Sequence, residues 1–207
     1  MYIGNSTIFS FNFVVNFLVA LIALIVAYYS YRAHKVTKSN EFGYFSLGFL
    51  SLSAAFTVYT FSMIVWAMTA SHVAGTLTAY SHNAGLLLFN FFILLGIVLI
   101  LFATTKFRNF KYSTYIFMLI IVLSLFNSLL FYVAATFLLL IICFNYYLKF
   151  IQKRNHNSLL ILISMLLFLL GIIRFIFIQR YFCPIQPFLF LISFAIMYWV
   201  VIKAYKN

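Results

Sequence analysis

The chain is a succession of long apolar stretches separated by short clusters of lysine and arginine. Of its 207 residues, 67% are hydrophobic and 7% are charged. A soluble domain averages about 45–50% apolar and about 25% charged residues. Stretches of about 20 apolar residues match a helix that crosses the hydrocarbon core of a bilayer. Because lipid offers no hydrogen bonds to the backbone, such stretches fold as helices. The sequence therefore predicts one domain over 1–207, an all-α polytopic transmembrane helix bundle.

Seven spans fit the apolar stretches. They are predicted at about 8–31, 42–68, 83–105, 112–126, 129–149, 158–179 and 187–203. The difficult region is 112–150, which has no charge before Lys149. A single helix of that length would be about 58 Å long, about twice the hydrocarbon thickness. The polar pair Asn127-Ser128 near its middle is the expected break between spans four and five.

The positive charges predict the orientation of the chain in the membrane. In the seven-span arrangement, eleven of the thirteen Lys and Arg residues fall on one side of the membrane. They are Arg32, Lys35, Lys38, Lys106, Arg108, Lys111, Lys149, Lys153, Arg154, Lys203 and Lys206. Loops rich in Lys and Arg stay in the cytoplasm. We therefore expect the N-terminus outside and the C-terminus in the cytoplasm of a cell (plasma) membrane protein.

The net charge of +12 has a membrane explanation. A single acid, Glu41, opposes thirteen basic residues, and eleven of these basic residues sit in juxtamembrane clusters. Such clusters face anionic headgroups. Membrane lipids are therefore the expected partners. Nucleic acid is not expected, because the sequence offers no basic face with interleaved aromatic residues outside the membrane.

Arg174 is the most informative single residue. It lies inside span six, and the spans contain no acid to pair with it. Ionisable residues within a membrane are costly and are candidates for function. Two interpretations stay open: the side chain snorkels outward to the headgroups, or it contacts a ligand or a partner chain.

Other polar residues cluster in the outer halves of the predicted spans. Asn12 and Asn16 share one face of span one, and Asn83 and Asn90 share one face of span three. The remaining candidates at this depth are Tyr59, Thr60, Ser62, Trp66 and Gln186. Converging faces would form a polar pocket open to the outside. The alternative is that these groups join helices through hydrogen bonds worth about 0.6 kcal/mol each.

A strip of small residues marks span two. Gly48, Ser51 and Ala55 follow one another at i, i+3 and i+7. Small residues let another helix approach closely, so the strip is predicted to be a helix-packing face.

Two segments predicted to lie outside carry weaker signals. Asn5 begins an Asn-Ser-Thr glycosylation sequon. His72 and His82 are weak candidates for a metal site, because no third ligand accompanies them at a recognisable spacing.

Two short motifs resemble a known class of proteins. Tyr29-Ser30-Tyr31-Arg32, followed by the segment 44–49 (YFSLGF), resembles a pattern in small multi-pass archaeal membrane proteins of about seven helices. It is also similar in style to the seven-helix sensor modules that precede some histidine kinases. The resemblance implies the same topology and no particular activity.

No catalytic, metal-binding or nucleotide-binding motif stands out, so we do not expect an enzyme, and no particular cofactor is indicated. The sequence favours a non-catalytic subunit of a larger membrane assembly, with other membrane protein subunits as partners. A receptor or sensor with an outward-facing polar pocket is one alternative. A small-solute transporter is another, and it would require spans 1–3 and 5–7 to be repeats.

Overall fold

The described part of the chain is entirely helical in the computed structural model. The backbone is described for residues 3–70, 76–105, 118, 122, 127–177 and 185–206, and side chains within 11–65, 83–105, 118, 122, 127, 129–152, 154–173 and 187–203. Six helices lie in this part. They are α1 (Ile3–Thr37), α2 (Asn40–Ala70), α3 (Thr76–Thr104), α4 (Ser128–Lys153), α5 (His156–Phe177) and α6 (Ile185–Lys206). The predicted helical bundle is confirmed for these residues.

Five of the helices are long and apolar enough to cross a membrane. Within the described residues these spans are Phe11–Thr37, Asn40–Val65, Asn83–Thr104, Leu129–Gln152 and His156–Ile173, and a shorter apolar helix covers Pro187–Lys203. The protein is therefore a multi-pass membrane protein. The predicted fourth span, 112–126, lies outside the described residues apart from Met118 and Val122, both of which are helical.

Local signals define where several helices begin and end. Asn127 is the N-cap of α4, and its side chain accepts a hydrogen bond of 2.9 Å from the Leu129 amide. The break expected at Asn127-Ser128 falls at this cap. Between α1 and α2, Lys38 has a left-handed φ of 53°, and the His34 ring nitrogen Nδ1 donates to the Ser39 carbonyl over 2.7 Å. These contacts close a very short turn.

The six helices form a ring in sequence order. Among the described residues, each helix packs against the helices before and after it, and α6 packs against α1 to close the ring. Serine hydroxyls join α1 to α2: Ser46 donates to the Ala27 carbonyl at 2.8 Å and Ser53 to the Ala20 carbonyl at 2.9 Å. Because these pairs run in opposite order along the two helices, α1 and α2 are antiparallel.

Helices α2 and α3 approach each other closely at two glycines. A Cβ atom added to Gly48 would lie 3.0 Å from the Gly96 carbonyl oxygen, and one added to Gly96 would lie 2.9 Å from the Gly48 oxygen. One turn further, the Ser51 hydroxyl donates to the Phe92 carbonyl over 2.8 Å, and Ala55 is fully buried. The small-residue face of α2 thus lies against α3 of the same chain at Gly48 and Ser51.

Helix α4 runs in the same direction as α3. The Asn145 amide donates to the Thr104 hydroxyl over 3.4 Å, and both residues lie towards the C-terminal ends of their helices. Phe11 and Phe188, near the N-terminal ends of α1 and α6, have ring centroids 5.2 Å apart, so these two helices are also parallel. The helices α1, α3, α4 and α6 consequently finish at one end of the bundle.

That end carries the described cations, and we call it the basic end. The described Lys and Arg side chains there are Arg32, Lys35, Lys38, Lys149, Arg154 and Lys203. The opposite end contains the starts of α1, α3, α4 and α6. Thr104 and Ser128 therefore lie at opposite ends of the bundle.

Candidate functional site

Phenylalanine rings fill the centre of the ring of helices. Phe49 and Phe56 of α2, Phe168 of α5, and Phe190 and Phe194 of α6 contact one another with centroids 5.1–5.9 Å apart. Most of these pairs are edge-to-face, the arrangement that the aromatic quadrupole favours. The cluster joins α2 to α6 across the ring and leaves little free volume.

A small cavity lies beside this cluster, deep in the bundle. Its volume is about 10 Å³, close to the least volume that can hold one water molecule. Its lining includes Leu139, Met165 and Met197, with Ser164 and Ser193 as the polar members. Each serine hydroxyl donates to the other residue's carbonyl over 2.8 Å. Because both hydroxyls are already paired, this cavity offers no free donor to a solute.

Asn12 and Asn16 lie on the buried face of α1, in the half of the bundle opposite the basic end. They are only 7% and 5% exposed. The Asn12 side-chain oxygen is buried and has no hydrogen-bond partner among the residues that the structure describes. A buried acceptor left unpaired costs about 1–3 kcal/mol, so this oxygen is a site where a donor from another molecule would be stabilised.

Helix α2 contributes three polar residues to the same half. The half-buried Tyr59 has its ring centroid 5.0 Å from that of Phe89, and the Thr60 hydroxyl is satisfied within the helix by the Phe56 carbonyl at 2.6 Å. Ser62 differs, because its buried hydroxyl has no hydrogen-bond partner in the described part of the chain. It packs against Gly85 of α3 so closely that a Cβ atom at position 85 would collide with it.

Asn83 and Asn90 of α3 do not share one environment. Asn83 is exposed and Asn90 is half-buried. Asn12, Asn16 and Tyr59 are thus turned inwards to different degrees, whereas Asn83 lies on the surface of the described structure. No described contact joins the α1 asparagines to Asn90.

The remaining predicted site residues fall where the structure describes no side chains. They are Asn5, Trp66, His72, His82, Arg174 and Gln186. The backbone places Arg174 in the last turn of α5, one turn beyond Gly171, where α5 meets Phe190 of α6. Among the described residues, no group of three His, Cys, Asp or Glu side chains could hold a metal ion.

At the basic end, the same pairing of a cation with a tyrosine ring occurs three times among the described residues. The Arg32 guanidinium lies 5.5 Å from the Tyr28 ring centroid, and the Lys35 ammonium lies 4.9 Å from that of Tyr31. On α4, the Lys149 ammonium lies 5.4 Å from the ring of Tyr146. In each pair a cation sits over an aromatic face, an electrostatic attraction to the ring quadrupole.

Sequence reasoning did not single out several of these groups. The buried Thr136 hydroxyl, unpaired among the described residues, and the Ser164–Ser193 pair were not among the candidates. For the last pair a signal exists, since each serine is an isolated hydroxyl within an apolar span. Their pairing could not be read from the sequence, because it depends on how α5 and α6 face one another.

Comparison with protein-family models, with curated proteins and with solved structures gave no match.

Proposed function

We propose that the protein is a non-catalytic integral membrane subunit of a larger membrane assembly, with a structural or accessory role. The observation that carries the proposal is the closely packed interior of the part of the chain that the structure describes. Phenylalanine rings occupy the axis of the bundle, and the cavity beside them has room for about one water molecule. A transporter needs a solute site near mid-membrane, so the filled centre favours a subunit over a transporter.

The outward surface fits such a role. Large apolar side chains point away from the bundle along α4, among them Val133, Phe137, Leu140 and Phe144. They recur every three to four residues, so they form one continuous face. A chain of this kind acts through the lipids and membrane subunits that it packs against.

The assembly is tested by gentle extraction from its own membrane. The tagged 24.1 kDa chain should migrate on a native gel as a larger complex and retain at least one further membrane protein at fixed stoichiometry. Repeating the extraction in a denaturing detergent gives the size of the lone chain for comparison. A monomer in every mild detergent, with no protein retained, would overturn the proposal.

We further propose seven membrane crossings, with the basic end in the cytoplasm of the cell membrane and the N-terminus outside. The support is geometric and electrostatic. Because α3 and α4 are parallel, the chain between Thr104 and Ser128 leads from the basic end to the opposite end. The described cations collect at one end, as the positive-inside rule requires of a cytoplasmic face.

Single cysteines at exposed positions test this topology. Val36 and Leu129 are 78% and 63% exposed and lie towards the basic and the opposite end. In a background that carries both Cys143→Ser and Cys183→Ser, and so has no native cysteine, an impermeant maleimide applied to intact cells should label Leu129→Cys, and should label Val36→Cys only after lysis. The reverse pattern would show that the orientation is opposite to the one proposed. Labelling of both cysteines from the same side would contradict the proposed crossing between Thr104 and Ser128.

A receptor is the second candidate, supported by a separate observation. The Asn12 oxygen and the Ser62 hydroxyl are buried and have no hydrogen-bond partner within the described structure, and both lie in the half that the proposed topology places outside. A ligand that donates hydrogen bonds would raise the Tm of the wild type. It should not raise that of Asn12→Leu, and an equal shift in both proteins would count against this site.

A further inference from the structure

Two tyrosine–cation pairs stand side by side on the last turns of α1. Tyr28 and Tyr31 are three residues apart, as are Arg32 and Lys35, so all four side chains share one face of the helix. Each cation lies over its own ring, at 5.5 Å for Arg32 and 4.9 Å for Lys35. The rings are 54% and 48% exposed, so the pairs are open to whatever surrounds the bundle.

The position of the pairs is that of a membrane interface. Tyrosine is enriched at headgroup level, where its ring is apolar and its hydroxyl is solvated. The cations are one turn further along α1, about 6 Å beyond the tyrosines at a rise of 1.5 Å per residue. That distance carries them from the edge of the hydrocarbon into the phosphate layer.

The charge at this end has almost no counterpart within the protein. Glu41 is the only acidic residue in a chain with thirteen Lys and Arg residues. At most one of these cations can pair with a side-chain carboxylate of the same chain. The missing negative charge has to come from outside, and the phosphates of anionic lipids are the nearest source at this depth.

We propose that Tyr28, Tyr31, Arg32 and Lys35 form a binding site for the headgroup of an anionic phospholipid. The rings hold the cations in place, which reduces the conformational freedom that each long side chain loses on binding. Arg32 presents a planar set of N–H donors that matches two phosphate oxygens, and Lys35 supplies a second, compact charge. The acyl chains then run back along the exposed Leu21, Leu24 and Ile25 of α1. The inference requires only that the chain is embedded in a membrane, not that it is a subunit.

Native mass spectrometry of the purified full chain tests the site. The protein is incubated in mixed micelles with phosphatidylglycerol or with zwitterionic phosphatidylcholine, and the fraction carrying each lipid is measured. The wild type should retain phosphatidylglycerol in preference. Arg32→Gln and Lys35→Gln should each weaken that retention about fivefold, the effect of one basic residue near an anionic surface.

Lys203→Gln is the matched control, since it removes one exposed charge from the same end. A specific site predicts that this variant loses less phosphatidylglycerol than either Arg32→Gln or Lys35→Gln. Equal loss in all three variants would overturn the site in favour of diffuse attraction. Tyr28→Leu should weaken retention of phosphatidylglycerol about two- to fivefold, because Arg32 loses its contact with the ring. Unchanged retention would show that the Tyr28 ring is not part of the site.

Soluble glycerol phosphate distinguishes a lipid from a free phosphate. Added at the same concentration as the lipid, it should leave the retained phosphatidylglycerol in place, because it has no acyl chains to pack against α1. Displacement at equal concentration would contradict a lipid site. Elution of each variant at the wild-type volume in size-exclusion chromatography shows that these exposed substitutions leave the fold intact.

Discussion

Alanine at position 48 would place a methyl group where α2 and α3 touch. The added Cβ atom would lie 2.8 Å from Ile100 Cγ1 and 3.0 Å from the Gly96 carbonyl oxygen, whereas carbon atoms pack best at about 3.5–4.0 Å. The Ile100 side chain can rotate, but the carbonyl belongs to the backbone of α3. The helices must therefore separate, and overpacking of this kind costs about 1–3 kcal/mol.

A second glycine of α2 provides the control. A Cβ atom at Gly43 would meet the His34 ring at an ordinary 3.4 Å. Alanine is favoured over glycine in a helix by up to about 1 kcal/mol, a gain open to both Gly43→Ala and Gly48→Ala. The control should thus equal or exceed wild-type stability. Gly48→Ala should be less stable than the control by the overpacking cost of about 1–3 kcal/mol.

The comparison is made by reversible unfolding in mixed micelles, with helicity and the elution volume followed together. For a chain of this size the difference corresponds to about 2–12 °C in Tm between the two variants. Equal Tm values for the two alanine variants would refute the reasoning, because the contact between α2 and α3 at Gly48 and Gly96 would then not limit the packing.

Three further tests of the interior use the same unfolding assay. Ser164→Ala and Ser193→Ala, alone and combined, should show a coupling energy of about 0.6–1.7 kcal/mol, and strictly additive losses would contradict the paired hydroxyls. Phe56→Ala should lower the free energy of unfolding by about 3–5 kcal/mol, while Phe61→Ala, at a site 63% exposed, should change it far less. Asn12→Leu should keep or raise stability by about 1 kcal/mol, because it removes an unpaired buried acceptor, and a clear loss would show that Asn12 has a partner.

The helices could be predicted because two simple signals act along the chain. The length of each apolar stretch predicted a membrane span. Asn127 marked the start of α4, because its side chain caps the Leu129 amide. The predicted ends were too early where charges follow a span. Helix α1 was expected to end near residue 31 and continues to Thr37. A charge ends the apolar stretch, but Arg32 and Lys35 are good helix formers and carry the helix into the headgroup layer.

The candidate site was harder to predict, for a physical reason. Within lipid both faces of a helix are apolar, so no periodicity separates the inward side from the outward side. Phe56 is buried in the central cluster and Phe61 faces outwards on the same helix, yet the hydrophobic pattern of the sequence does not distinguish the two residues. The inward positions of Asn12 and Asn16 were predictable, since amides avoid lipid. The isolation of Asn12 from Asn90 was not, because it depends on which helices the ring brings together.

The order of the ring has a consequence for how the protein is made. Among the described helices, four of the six interfaces join helices connected by short segments, and a fifth joins α3 to α4 across residues 105–127, so each of these five can form before α6 leaves the ribosome. The exception is the contact between α1 and α6, typified by Phe11 and Phe188. Until α6 is synthesised, the side of α1 that will meet it has no partner among the other described helices. During translation, an insertase, a chaperone or lipid must therefore cover this side of α1 until α6 has been inserted.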